Sequence, residues 1–191
     1  MLTPNLQTHL NQAIKRLLPL FKVTTEERAH FRPFTIRRHL DPTEFSRSSR
    51  DRTPAYHFLA TYFYFPEKDP HTANPDLSGV FAPAIIHHEA GHYVHDQVNP
   101  SRRKEMLSLM AHNNRTLDYS NTLNELVADY GCLILGLYTA ADQAFYFHHH
   151  PFGRFLKTIY DQYGADFLPR LARMTTDEAL TNGLLLEDAI R

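Results

Sequence analysis

The sequence predicts an α+β fold in which a few short strands precede a mostly helical body. Residues 31–40 and 55–65 are rich in aromatic and β-branched side chains, which is typical of strands. From about residue 82 onward, apolar residues recur at helical spacing. A length of 191 residues suits one domain that spans residues 1–191.

A helix is predicted at the N-terminus, within residues 1–22. Pro4 suits the start of this helix and Pro19 its end. The apolar residues between the two prolines recur at helical spacing, so one face of the helix should pack on the rest of the protein. These residues are Leu6, Leu10, Ile14, Leu17 and Leu18.

Two strands are predicted before the helical part. Residues 31–40 form the first strand, and the turn-forming residues 41–54 follow it as a loop. Residues 55–65 have little polar interruption, which predicts a single strand that is covered on both faces or lined by tyrosine at its rim. Prolines and a glycine make residues 66–80 a loop.

The helical part is predicted as a helix at 84–97, a shorter one at 101–112, a mostly continuous apolar helix at 120–147, and two or three short helices within 152–191. Pro83 suits the first turn of the first of these helices, and Ser101 is the expected N-cap of the second. Breaks are expected near Gly164 and Gly183, because glycine commonly ends helices.

Composition limits the classes of partner. Lys and Arg number 20 against 21 Asp and Glu, so no net charge favours nucleic acid or an anionic membrane. No apolar run reaches about 18 residues and the N-terminus lacks the order of a signal peptide, so a soluble protein is expected. The single cysteine, Cys132, excludes a disulfide framework and a zinc ribbon. A cytoplasmic location fits a chain with one cysteine, because the cytoplasm is a reducing compartment.

His88, Glu89 and His92 form the pattern H-E-x-x-H within the predicted helix at 84–97. Two histidines four residues apart share one face of a helix, so both imidazoles can reach one ion. The glutamate beside the first histidine is then placed to take a proton from metal-bound water. The chain contains 13 histidines, so this pattern alone is weak evidence, and a catalytic zinc needs a third ligand.

Two neighbouring histidines are not expected to be ligands. His87 points about 100° away from His88 around the helix axis, and His95 lies about 10 Å from His88 along it. Both are expected to support the site from outside its ligand set, or to lie at the surface or in the core.

The third ligand is expected from a second helix. A continuation as H-E-x-x-H-x-x-G-x-x-H is excluded, because His95 and Val98 occupy the glycine and histidine positions. Downstream, Asn124, Glu125 and Asp129 lie in the segment NELVADYG. Glu125 and Asp129 are four residues apart and share a helical face, so one can ligate while the other accepts the outer N–H of a ligating histidine.

Each of these carboxylates also has a simpler explanation. Thr122 and Glu125 have the spacing of a capping box at a helix start. Asp129 can lie on a solvated helix face, although its neighbours are mostly apolar and an unpaired buried carboxylate is costly.

The pattern H-E-x-x-H followed by N-E-x-x-x-D resembles the gluzincin, or thermolysin-like, zinc metallopeptidases. The resemblance covers about residues 55–135, and the chain is similar to the smallest members of that family. It implies a zincin-like fold, in which a small sheet with a substrate-binding edge strand accompanies an active-site helix and a glutamate helix. It also implies site residues: His88, His92 and Glu125 as zinc ligands, Glu89 as general base, and Asp129 as the residue that orients a ligand histidine.

Family members commonly add a histidine or tyrosine that stabilises the oxyanion, and the sequence does not single one out. The candidates are Tyr146, His148, His149, His150, Tyr160 and Tyr163.

The expected function is a zinc-dependent metallopeptidase that acts on a peptide or protein substrate. One alternative is a zinc-stabilised, non-catalytic peptide-binding or regulatory module on the same scaffold, which the unassigned oxyanion residue favours. Another is a metal-free helical interaction domain. Cys132 is expected in the core rather than as a nucleophile, because it lies in an apolar helix without an activating base.

Overall fold

The computed structural model describes residues 4–37, 55–57, 61–65, 83–112 and 116–185. This part of the chain is mostly helical with a small three-stranded sheet, which confirms the α+β class. The strands are β1 (Thr35–Arg37), β2 (Ala55–His57) and β3 (Tyr62–Tyr64). The helices are α1 (Pro4–Leu20), α2 (Thr25–Ala29), α3 (Pro83–Val98), α4 (Pro100–His112), α5 (Thr116–Ile134), α6 (Ala140–His149), α7 (Pro151–Tyr163), α8 (Leu168–Leu171) and α9 (Thr176–Thr181), with a 3-10 turn at Ala165–Phe167. The predicted loops at 41–54 and 66–80, and residues 186–191 of the C-terminal part, lie outside the described residues.

The sheet has the order β1-β3-β2, with β1 parallel and β2 antiparallel to the central β3. The prediction of one strand over 55–65 is therefore wrong: this segment forms two strands that pair with each other. Phe63 lies opposite Tyr56 in that pairing, and Thr61 enters β3 with φ 52°. The sequence between the strands contains no glycine, proline, asparagine or aspartate to mark a reversal.

An aromatic cluster joins the sheet to α3. The Phe63 ring lies 4.9 Å from Phe34, 5.1 Å from Tyr56 and 5.8 Å from Tyr93, measured between ring centroids. Tyr93 belongs to α3, so these contacts attach β2 and β3 to the helix that carries the H-E-x-x-H pattern.

Helix α3 is central among the described elements, since it contacts α1, α4, α5 and β2. The predicted apolar face of α1 is confirmed: Leu6, Leu10 and Leu17 are fully buried, and α1 packs along α3. Pro19 lies in the last turn of α1, one residue before the helix ends. None of the described helices combines the length and apolarity that a membrane span requires.

Helix α4 begins one residue earlier than predicted, and its N-cap is Asn99 rather than Ser101. The side-chain oxygen of Asn99 accepts hydrogen bonds from the backbone N–H of Arg102 and from the Ser101 hydroxyl. Pro100 occupies the first helical position, where its missing N–H has no cost.

The prediction of one mostly continuous helix over 120–147 is wrong, because the segment forms two helices, α5 and α6, with a break between them. Gly136 adopts a left-handed φ of 63°, its N–H bonds to Leu133 O, and the Leu137 N–H bonds to Cys132 O. These two bonds form a Schellman motif, which ends α5. Gly164 and Gly183, with φ of 69° and 67°, end α7 and α9, as the sequence predicts.

Candidate metal centre

Helix α3 presents His88 and His92 one turn apart on the face that meets α5. Their Nε2 atoms lie 2.9 Å from each other. His92 is buried, whereas the His88 side chain keeps 22% of its surface exposed. The pair is therefore embedded in the protein but open on one side.

Helix α5 brings the carboxylate of Glu125 to the same point. Its Oε2 lies 3.1 Å from His88 Nε2, and its Oε1 lies 3.5 Å from His92 Nε2. One donor atom from each of the three residues lies within 4.8 Å of the other two. The capping-box alternative for Glu125 is wrong, because α5 begins at Thr116 and Glu125 stands in its interior.

A close approach between α3 and α5 makes this convergence possible. A Cβ on Gly91 would stand 3.0 Å from Ala128 Cα and 3.3 Å from Ala128 Cβ. The two helix backbones therefore touch within one turn of the three donors. A side chain at Gly91 would separate them.

The three donors fit a divalent cation. Two zinc ligands at about 2.0–2.2 Å in tetrahedral geometry are separated by roughly 3.3 Å, and the observed separations of 2.9, 3.1 and 3.5 Å bracket that value. His88 Nδ1 lies 2.7 Å from Asp129 Oδ1, which places its hydrogen on Nδ1 and leaves a lone pair on Nε2. That lone pair faces a carboxylate, so the site needs a shared cation, either a proton or a metal ion.

Asp129 binds the His88 ring at Nδ1, the nitrogen that does not face the other two donors. Its Oδ1 accepts the His88 Nδ1–H, and its Oδ2 accepts the Tyr146 hydroxyl at 2.8 Å. Asp129 is 8% exposed, so the alternative of a solvated helix face is wrong. Burial disfavours its ionisation, but His88 outweighs this and lowers the pKa of Asp129.

His88 and Glu125 each favour the charged form of the other. Burial opposes a charge on His88, but Asp129, Glu125 and Glu89 outweigh it and hold the pKa of His88 well above its usual value. Burial likewise opposes ionisation of Glu125, but His92 and His88 hold the pKa of Glu125 well below its usual value. The site thus favours a charged carboxylate beside a positive charge.

Glu89 is buried on the same turn as His88. Its Oε2 accepts the backbone N–H of Tyr56 at 2.6 Å, so β2 fixes the orientation of this carboxylate. Burial raises the pKa of Glu89, although the charges on His88 and His92 oppose the change. The Tyr56 hydroxyl also donates to Asp96 of α3 at 2.7 Å, so Tyr56 attaches β2 to α3 at two points.

A cavity of about 320 Å³ opens beside Glu89 and His88. Its remaining lining residues are mostly apolar: Ala84, Ile85, Asp129, Cys132 and Tyr138.

Tyr138 lies outside the set that the sequence singled out. It follows the Schellman turn after α5, lines the cavity beside Glu89, and its hydroxyl bonds to Asp129. The glycine-terminated helix was the one signal that could have pointed to it, because the chain must turn back toward α5 just before this tyrosine.

None of the six candidates for oxyanion stabilisation lines the cavity beside Glu89. Tyr146 donates to Asp129, Tyr160 packs on Tyr130, and the Tyr163 ring stacks on Phe167 at 4.3 Å. The remaining three candidates are exposed residues at the junction of α6 and α7: His148, His149 and His150.

The two flanking histidines lie outside the donor set, as expected. His87 Nδ1 donates to Pro83 O at 2.6 Å, and His87 Nε2 faces Arg16 of α1. His95 is fully buried, with Nδ1 3.1 Å from Asn124 Oδ1.

Cys132 is buried in α5, as expected of a core residue. Burial raises the pKa of its thiol to about 12, so the thiol stays protonated at neutral pH.

No protein-family model, curated protein or solved structure matches this chain. Its function is therefore inferred from the geometry of the site.

Proposed function

We propose that the protein is a zinc-dependent metallopeptidase of the gluzincin type with a zincin-like fold. The supporting observation is the convergence of His88, His92 and Glu125 from α3 and α5, with Glu89 on the same turn as His88. Two imidazole nitrogens and one carboxylate suit zinc, and three protein ligands leave one position for a reacting group. The half-exposed Glu125 side chain keeps that position open to solvent.

Zinc held by these residues would supply a Lewis acid for the scissile carbonyl and for the attacking water. Glu89 is the general base: its carboxylate takes a proton from the water and returns it to the leaving amine. The Tyr56 N–H holds one Glu89 oxygen, which leaves the other oxygen for the proton. Asp129 holds the His88 ring through Nδ1–H, so the lone pair of His88 Nε2 would be available to the metal.

The proposed substrate is an extended peptide or a protein segment. Among the described strands, β3 is paired on both sides, so β2 is the strand near α3 to which a peptide can add. The mostly apolar cavity beside Glu89 suits an apolar side chain of that peptide. The nearly balanced charge and the single cysteine fit a cytoplasmic enzyme that binds no nucleic acid.

The first experiment measures zinc per chain on tag-free protein for the wild type, Glu125→Ala and Glu26→Ala. Glu26 is an exposed glutamate of α2, so Glu26→Ala is a matched control. We expect near-stoichiometric zinc in the wild type and the control, and a sharp loss in Glu125→Ala. Equal zinc in the three proteins would contradict the ligand set.

The second experiment tests the base. Glu89→Gln keeps the size of the side chain and its bond to the Tyr56 N–H but removes the proton acceptor. We expect this variant to retain zinc and to lose turnover of a peptide library that the wild type cleaves. Undiminished hydrolysis would refute the role of Glu89.

A second candidate function is a zinc-stabilised peptide-binding or regulatory module. It is favoured by the position of Tyr146, whose hydroxyl is bonded to Asp129 instead of being directed at a substrate oxyanion. Zinc-loaded protein that binds peptides and cleaves none of them would support this module. Cleavage that disappears in Glu89→Gln would exclude it.

A further inference from the structure

A chain of hydrogen bonds runs from α6 to the candidate metal ligand His88. The Tyr146 hydroxyl donates to Asp129 Oδ2 at 2.8 Å, and Asp129 Oδ1 accepts from His88 Nδ1 at 2.7 Å. Each oxygen of this buried carboxylate thus has its own partner on a different helix. The Tyr138 hydroxyl also bonds to Asp129, so Tyr146 is one of two tyrosines that orient Asp129 and, with it, the His88 ring.

The corner between α6 and α7 is built closely around Tyr146. The Tyr138 and His150 rings stack against its ring, with centroids at 5.8 and 5.3 Å. On its backbone side, a Cβ at Gly153 would stand 2.0 Å from the Tyr146 carbonyl oxygen, so only glycine fits there. These contacts fix the position of the Tyr146 side chain and therefore of its hydroxyl. Such support is expected of a residue that orients another group.

We infer that Tyr146 is a positioning residue for His88, acting through Asp129, and that it couples the α6–α7 corner to metal binding. The inference rests on the metal site of the proposed function, but it does not require peptidase activity. It also separates Tyr146 from the other oxyanion candidates, because its hydroxyl hydrogen is committed to a buried carboxylate.

Two consequences follow from this coupling. A hydrogen-bonded partner behind a ligating histidine is typically worth a factor of about 10–100 in metal affinity, and here that partner is Asp129. Tyr146 acts one hydrogen bond further out, so loss of its hydroxyl should weaken zinc binding by a factor at the lower end of that range, about tenfold. Coupling is reciprocal, so zinc bound at His88 should in turn stabilise α6.

The test compares tag-free wild type with Tyr146→Phe, and uses Tyr163→Phe on the exposed side of α7 as the matched control. Zinc affinity is measured by competition with a chromogenic chelator, and the visible spectrum of the cobalt-loaded protein reports the ligand geometry. We expect about tenfold weaker zinc binding and a shifted cobalt spectrum for Tyr146→Phe only. Wild-type affinity in Tyr146→Phe would overturn the inference.

Hydrogen exchange gives a readout that a purely structural role would not change. In the wild type, zinc should slow amide exchange in α6 (Ala140–His149) as well as in α3 and α5. In Tyr146→Phe, zinc should still protect α3 and α5 but no longer α6. Zinc that leaves α6 exchange unchanged in the wild type would overturn the inference without any variant.

A double-mutant cycle tests whether Tyr146 acts through Asp129. In an Asp129→Asn background, Tyr146→Phe should cause little further loss of zinc affinity. If Tyr146→Phe lowered zinc affinity in the Asp129→Asn background as much as it does in the wild type, Tyr146 would not act through Asp129. Lost turnover with unchanged zinc affinity in Tyr146→Phe would also overturn the proposed route, because it would place Tyr146 at the substrate. Wild-type protein that binds zinc but cleaves no peptide contradicts the proposed function alone.

Discussion

Gly91→Ala should weaken both folding and metal binding, because it adds a methyl group where α3 and α5 touch. The new Cβ would stand 3.0 Å from Ala128 Cα and 3.5 Å from Ala128 O. Carbon atoms at optimal contact are about 3.5–4.0 Å apart, so the helices must separate by about 0.5–1.0 Å. The atom in the way belongs to the backbone, so no rotamer change can relieve the contact.

The same displacement reaches the metal ligand on α5. Glu125 lies three residues before Ala128 and therefore on the same face of the helix. Metal–ligand distances tolerate about 0.2 Å, less than the expected separation of the helices. We therefore expect zinc affinity to fall at least about tenfold.

A comparison with Gly131→Ala separates the cost of the close helix contact in Gly91→Ala from the effect of helix propensity. Both glycines lie inside helices, so both substitutions gain about 1 kcal/mol of helix propensity. At Gly131 the new Cβ meets the end of a side chain, 3.1 Å from Leu17 Cδ2, so a small rotation of that side chain can lengthen the contact without moving a helix. Overpacking in a core costs about 1–3 kcal/mol, so Gly91→Ala should be less stable than Gly131→Ala by about that amount.

Urea denaturation of the metal-free proteins measures the difference in unfolding free energy between the two variants. Chelator competition measures the zinc affinity of Gly91→Ala. Equal unfolding free energies for Gly91→Ala and Gly131→Ala would refute the close-contact argument. Wild-type zinc affinity in a destabilised Gly91→Ala would show instead that the helices separate without moving Glu125.

Three further predictions follow from the site. Zinc at about 100 times its Kd should stabilise the protein by about 2.7 kcal/mol, so a chelator should lower the melting temperature by roughly 5–11 °C; an unchanged temperature would support the metal-free helical domain. Tyr56→Phe removes the hydrogen bond to Asp96 and should cost about 1.5–3 kcal/mol in urea denaturation, whereas Tyr163→Phe on the exposed side of α7 should be nearly neutral. Ala84→Phe fills the cavity beside Glu89, so it should raise the KM for peptides with bulky apolar residues and leave zinc content unchanged; an unaltered KM would mean that these side chains bind elsewhere.

Local patterns predicted the helices and their ends better than the strands. The sequence predicts a helix over residues 84–97, and α3 matches it almost to the residue, because helical periodicity and a first-turn proline are local signals. The aromatic run at 55–65 predicts one strand but forms two, because its aromatic and apolar residues continue through the reversal without a turn residue. The apolar run around Gly136 predicts a helix that continues past it, but the left-handed conformation of this glycine ends α5.

The sequence by itself determined that His88 and His92 share one helical face with Glu89 beside them, and that Glu125 and Asp129 share another. These relations follow from the helix repeat and need no partner element. Only the tertiary structure decided that the two faces meet. Their meeting depends on contacts between residues far apart in the chain: the close packing of Gly91 on Ala128, and the position of Tyr146 beside Asp129. No local pattern encodes such contacts, because they arise from how whole helices pack.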